Sequence, residues 1–286
     1  MARADEIYNS LVEDILDNGV WNTGEGGVRT KWADGTTAYA KSLYDVQLRF
    51  KPDEIPILTG KKVFERIARI EKDWIWKEKS NSLEKLREMN GSDKTVWNEW
   101  EIKEGKWKGT IGPAYGYVLG EKVLNLNGEK VDQVDYLIHQ LKNNPASRRH
   151  VTTLWIPHYL DEMALNPCVW NTEWASVEGV LHLRVHSRSA DVGLGLPFNI
   201  YQYAVLHREI AQVTGHGVGM MTFDIFNAHI YDRHVDSLKK QIHLPTYEAP
   251  GWELNLDINN FYDFTEHDFK LVDYQCGPAI KLPVAE

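Results

Sequence analysis

The sequence predicts a single α+β domain, and three observations carry that prediction. Leu181, Leu183 and Val185 alternate with His182, Arg184 and His186, the period of a half-buried strand. A short way on, Ile200, Tyr203, Leu206, Ile210 and Val213 recur at helical spacing, so strand and helix patterns interleave. Across all 286 residues no repeat, low-complexity tract or linker-like shift in composition divides the chain, which places residues 1–286 in one domain.

From the N-terminus, Ile7, Leu11 and Ile15 stand four apart and predict an amphipathic helix over 5–17 that stops before Asn18-Gly19. Gly, Thr and Asp dominate 20–36, a loop that carries Arg29-Thr30. Residues 37–58 read as strand, polar turn, strand, and 61–78 as a helix containing Glu71 and Trp74. The Gly- and Trp-rich stretch 90–118, with Trp97, Trp100 and Tyr115, reads as an elaborated loop. A helix over 131–143 stops ahead of Asn144-Pro145, because the position before proline disfavours helical backbone. Arg148-Arg149 follow, then the strand-like run HVTTLWIP. The best-marked helix covers 199–214, with Gly215 suited to its C′ position. MMTFDIF then reads as a strand, followed by NAHIYDRHVDSL and a loop-rich tail.

Composition narrows the function. Lys and Arg number 32 against 41 acids, a net charge of −9, which argues against binding polymeric nucleic acid. A mononucleotide needs only a few clustered arginines and stays open. The two cysteines, Cys168 and Cys276, are too few for a disulfide scaffold, and no zinc spacing occurs, so no metal is expected. Neither a signal peptide's apolar stretch nor a run of membrane-spanning length is present, so the expected setting is the cytoplasm, the host's if a phage encodes the chain.

Residues 166–199 concentrate the chemistry. Cys168 stands upstream of Arg188, Ser189, Asp191 and Asn199. A lone cysteine is ordinarily a small buried hydrophobe. A guanidinium nearby favours the thiolate, however, and a thiolate is a nucleophile. Asn199 donates and accepts at once, as recognition of a pyrimidine edge requires. Arg29, Arg148, Arg149 and Arg188 would each pass as surface charge, but four guanidiniums together suit a dianionic phosphate. Glu71 has Ile70, Trp74 and Ile75 as neighbours, which sets it near an apolar face. His229 and Tyr231 are two apart and share a face if extended. His229 and His234 do not form HExxH, and TGHGVG follows a helix rather than opening one, so it is a turn and not a phosphate loop.

Taken together, these residues closely resemble the thymidylate synthase family over almost the whole chain. The matching segments are Arg29-Thr30, PILTGKK, Glu71 with Trp74, VWNEW, GPAYG, NNPASRRH, NPC, RSADVGLGLPFN and HIY, in the family's order. The resemblance implies a large mixed sheet flanked by helices, with one sheet face packed in a homodimer. It implies one-carbon transfer from 5,10-methylenetetrahydrofolate to C5 of dUMP, through attack of Cys168 on C6. Arg29, Arg188 and Ser189 would hold the phosphate, joined by Arg148 and Arg149 from the second subunit. Asn199 would read the uracil edge, and His229 and Tyr231 the deoxyribose. Glu71 and Tyr115 would move protons, while Trp97, Trp100, Asp191 and Gly195 would contact the reduced folate.

The chain also departs from the family. Glu71-Lys72-Asp73-Trp74 stands where synthases usually carry Glu-Leu-Leu-Trp, Phe226-Asn227 replaces Gly-Asp, and Glu173 replaces Gln. Val169 replaces a common His, and the C-terminal residue, usually apolar, is Glu286. Polar changes of this kind favour water adding to the exocyclic methylene intermediate, as in the phage pyrimidine hydroxymethylases, over hydride transfer to it. The expectation is therefore hydroxymethylation of dUMP, with thymidylate synthesis as the alternative. A helical obstacle weighs against it: Asp73 lies about 200° around the helix from Glu71, so the two cannot face one ligand. A non-catalytic nucleotide- or RNA-binding regulator is the rival outside enzymology, and it has no use for the thiol.

Overall fold

The computed structural model describes residues 2–24, 28–124 and 128–285. Helices and strands alternate irregularly: α1 (Arg3–Asn18), β1 (Val20–Trp21), β2 (Ala40–Phe50), α2 (Glu65–Trp76), α3 (Leu83–Asn90), α4 (Gly116–Gly120), β3 (Val123–Leu124), β4 (Lys130–Val131) and α5 (Gln133–Asn143). Then come β5 (His150–Thr153), β6 (Val169–Val177), β7 (Val180–Ser187), β8 (Ala190–Asp191), α6 (Gly195–Val213), β9 (Gly217–Tyr231), α7 (Val235–Gln241), β10 (Gly251–Leu254) and β11 (Phe269–Val272). The main sheet runs β1-β2-β9-β7-β6-β5, with β8 also paired to β9. It is mixed, because β7 and β8 run parallel to β9 while the other pairs are antiparallel.

Helix α6 is the axle of the core. Every residue from Tyr201 to Ala211 is buried, the signature of a helix enclosed on all sides. It packs against β7 and β9 and against α2, while α1 covers β2 and β9. Polar groups carried inward find partners. Arg208 donates to the carbonyls of Ala204, Pro52 and Glu54, and Asp5 accepts from the backbone of Thr59 and Gly60. The opposite sheet face is open. Val151, Val177 and Phe226 project from it among the ion pairs Arg184–Asp224 (3.0 Å) and His186–Glu173 (3.1 Å).

Several expectations need correction. The second of the two strands expected within 37–58 does not form: Pro56 interrupts it, and Ile55, Ile57 and Leu58 bury as irregular chain. Helix α3 is additional to the expected elements: Ser82 caps it by accepting from the Lys85 N–H, and Gly91 ends it at φ +64°. The 90–118 loop contains a 3-10 turn at Val96–Trp100, and α4 starts at its end. HVTTLWIP is a strand only as far as Thr153. Strand β6 had no predicted counterpart, α6 starts four residues early at Gly195, and β9 runs 15 residues to absorb HIY. Helix α7 begins within NAHIYDRHVDSL, and the tail contributes the antiparallel β10–β11 pair.

Candidate functional site

The site forms at one end of the main sheet, where β6 begins, β7 ends and α6 starts. Cys168 immediately precedes β6. Its carbonyl accepts from the Arg188 N–H (2.9 Å) and the Ser187 hydroxyl (3.3 Å), and its N–H donates to the Tyr115 hydroxyl (3.3 Å). A register shift between Val169 and Asn171 bends the strand just beyond the thiol. Arg188 hangs on the same loop, Nε donating to the Pro167 carbonyl (2.9 Å) and Nη2 to that of Asn166 (2.7 Å). Burial pushes the Cys168 thiol up from its ordinary value, the Arg188 charge pulls it down, and Asp191 pushes it up again. The resting thiol is therefore protonated and ionises only with help.

Tyr115 closes one side. Its backbone sits at φ +48° at the start of α4, and its buried ring meets Trp97 edge-on at 5.1 Å. Burial holds its hydroxyl well above the ordinary range, so it stays protonated. Glu71 on α2 accepts from the Trp97 indole (2.8 Å) and from Gln202 Nε2 (2.8 Å). Burial raises this carboxyl, and the two hydrogen bonds oppose the rise only in part. Asn199, in the opening turn of α6, donates through Nδ2 to Gln202 Oε1 (3.2 Å). Gln202 was not anticipated. Its spacing of three from Asn199 on a predicted helix was the available signal.

The β8–β9 pairing places Asp191 opposite His229. Ser189 Oγ lies 3.4 Å from His229 Nδ1, and the His229 and Tyr231 rings meet edge-on at 4.9 Å. Burial lowers the His229 pKa, which keeps the ring neutral, and raises that of Tyr231 to about 12. Asp191 accepts from the N–H groups of Gly193 (2.8 Å) and Leu194 (3.2 Å) and faces His234 at 3.7 Å. Burial would raise its carboxyl, but those partners hold it below the usual carboxylate value. Trp100 packs edge-on against Trp97 and stays half-buried, so part of its ring is open to a flat ligand. Gly195 opens α6, and a Cβ there would meet only Asn199 Oδ1, at 3.9 Å.

The arginines divide. Arg29 is exposed beside Thr30, whose side chain bonds Tyr231. Arg148 and Arg149 are also exposed, at the far end of β6 from Cys168. The pairing His150↔Trp174 puts Arg149 level with residue 175, seven strand positions or roughly 23 Å from the thiol. Within one chain that exceeds an arginine's reach.

The residues behind the hydration expectation are engaged elsewhere. Asp73 pairs with buried Lys72 at 2.7 Å, and Lys72 in turn bonds Glu209. Phe226 packs on Tyr44 on the open sheet face, and Glu173 bonds His186 there. Asn227 lies beside Tyr44 in the β2–β9 ladder, its Oδ1 buried without a hydrogen-bond partner. Val169 is buried as the first residue of β6, and Glu286 lies outside the described residues. Among the described residues no three His, Cys, Asp or Glu side chains cluster as metal ligands, and no helix is long and apolar enough to cross a membrane.

A family model described as thymidylate synthase matches residues 6–286. Thymidylate synthase 1 of Bacillus spizizenii is 50% identical over 286 residues, all of each chain. The thymidylate synthase of Bacillus phage phi3T is 49% identical over the same full span. Among solved structures, thermostable thymidylate synthase A from Bacillus subtilis superposes with a TM-score of 0.92 at 50% identity, covering 99% of both chains.

Proposed function

The chain belongs to the thymidylate synthase family, and on that premise we propose that it converts dUMP to dTMP in the cytoplasm as a homodimer. One observation carries the reading: Arg188 is tied to the carbonyls of Asn166 and Pro167, the two residues just before Cys168, so cation and thiol form one unit. Thiolate addition at C6 makes C5 nucleophilic and splits one difficult step into two easier ones. Arg188, Ser189 and Arg29 take the phosphate, and His229 and Tyr231 the sugar hydroxyl. Asn199 pairs with the uracil edge. Glu71, its carboxyl raised by burial from the ordinary value, takes part in proton transfer, with protonated Tyr115 beside the nucleophile.

5,10-Methylenetetrahydrofolate, when bound, supplies the methylene carbon and then the hydride that completes the methyl group. Trp97, Trp100, Asp191 and Gly195 would hold it: an aromatic wall suits a flat ring system, and the ionised Asp191 carboxylate suits ring N–H donors. Arg148 and Arg149, too distant within their own chain, would complete the phosphate clamp from the partner subunit across the open sheet face. Methylation replaces the expected hydroxymethylation, because Asp73, Phe226 and Glu173 are occupied away from the thiol and the full-length relatives are named thymidylate synthases. Incubation with dUMP and 5,10-methylenetetrahydrofolate should yield dTMP and dihydrofolate in equal amounts. Release of 5-hydroxymethyl-dUMP with no dihydrofolate would overturn the reading.

A further inference from the structure

Asparagine alone cannot choose between uracil and cytosine. Uracil offers a donor at N3 and an acceptor at O4; cytosine offers an acceptor at N3 and a donor at N4. One amide satisfies either, because rotation by 180° exchanges its oxygen and nitrogen. Selectivity therefore requires something that fixes which end of Asn199 faces which atom.

The hydrogen-bond chain behind Asn199 has a direction. It begins at Trp97, whose indole N–H can only donate, and it donates to Glu71 Oε2 at 2.8 Å. Both Glu71 oxygens accept: with Oε2 taken by the indole, Oε1 receives Gln202 Nε2 at 2.8 Å. With its nitrogen committed, Gln202 can present only Oε1 to Asn199. That oxygen takes the Asn199 Nδ2–H at 3.2 Å. Asn199 is left with Oδ1 and one N–H for the ligand. Oδ1 accepts no hydrogen bond from the described residues and lies 3.9 Å from where a Cβ on Gly195 would stand. Gln202 itself is 4% exposed, so water does not compete for its amide.

We propose that Gln202 is the positioning residue that locks the Asn199 amide in its uracil-reading orientation, with the Glu71 carboxyl, which accepts at both oxygens, setting the sense of the lock. This rests on the dUMP reading above. In the locked orientation Oδ1 accepts from uracil N3–H and Nδ2 donates to O4. Cytosine would meet oxygen against N3 and N–H against its amino group, a mismatch at both contacts. A position three residues along α6, without contact with the base, thus decides base identity.

The experiment compares dissociation constants for dUMP and dCMP by calorimetry in the full-length protein. Gln202→Leu removes the lock and lets Asn199 turn, so the dUMP preference should fall at least about tenfold, partly through tighter dCMP binding, as expected when a buried polar contact is freed. Gln202→Met, closer in length, should do the same and serves if leucine disturbs α6. Gln202→Glu keeps an acceptor for Asn199 and loses the donor to Glu71; it should hold the preference within about threefold while turnover of dUMP drops. A purely structural role would weaken both nucleotides by one factor and leave the ratio unchanged. An unchanged ratio in the apolar variants, or a glutamate variant that loses the preference as fully as they do, overturns the proposal. A wild-type protein that does not favour dUMP refutes instead the functional reading beneath it.

Discussion

Replacing Lys72 with methionine should destabilise the protein by about 3–5 kcal/mol, the usual result of removing one partner from a buried ion pair. Lys72 and Glu209 are each 2% exposed, and Lys72 Nζ lies 2.5 Å from both Glu209 oxygens and 2.7 Å from Asp73. Without the ammonium, two carboxylates face each other in the core, and the remaining cation, Lys77, stands 3.9 Å from Asp73. At ~2–4 °C per kcal/mol for a chain of this size, the thermal midpoint should fall by roughly 10 °C. The double variant Lys72→Met with Glu209→Met exchanges the pair for apolar packing and should recover most of the loss, since such swaps are often neutral. Calorimetry and urea unfolding of wild type, both single variants and the double variant supply the cycle. A lysine variant within about 1 kcal/mol of wild type, or a double variant as unstable as the single, would refute the reasoning. Because the cluster is structural, Asp73→Asn should alter stability and leave the product unchanged.

Four further outcomes follow. Cys168→Ala should lower turnover by more than about a thousandfold while dUMP still binds; residual activity near wild type would exclude the thiol as nucleophile. Tyr115→Phe removes the hydroxyl that accepts the Cys168 N–H and should slow turnover with little change in dUMP affinity; equal loss in both would make it a binding residue. His207, 1% exposed, donates through Nε2 to the Leu181 carbonyl, leaves Nδ1 unpaired and has its pKa pressed by burial from 6.5 to about 3. The unfolded chain therefore binds a proton that the fold refuses between those values, and stability should fall by about 1.4 kcal/mol per unit as pH drops through that window; His207→Gln should reduce that slope by one proton, and an unchanged slope would contradict the assignment. Mixing inactive Cys168→Ala dimers with inactive Arg148→Ala/Arg149→Ala dimers under subunit exchange should restore activity, because one site per heterodimer is then complete; no recovery would refute donation across the interface.

The sequence marked elements where a pattern was strong and unopposed. Gly215 was placed as the residue that ends α6, and it adopts φ +75°. The alternation at Leu181, Leu183 and Val185 became β7. The second strand expected within 37–58 failed because apolar residues such as Ile55 and Ile57 can bury without a ladder, and periodicity does not separate the two outcomes. The candidate site was legible as a set of residue types, and the sheet register brought Asp191 and His229 together. Gln202 was missed because a buried glutamine matters through its partners, which come from a helix about 130 positions away in the chain. The polar replacements misled for the same reason. Asp73 looked like a group available to water until Lys72 and Glu209 were placed beside it.

The central claim concerns the fate of the methylene carbon, and one mass spectrum decides it. The protein is supplied with dUMP and with 5,10-methylenetetrahydrofolate that carries deuterium at the carbon dihydrofolate leaves unsaturated, in water enriched with oxygen-18. Thymidylate synthesis predicts dTMP with one deuterium in its methyl group and no oxygen-18 there. A product with a 5-hydroxymethyl group bearing oxygen-18 and no deuterium would contradict it.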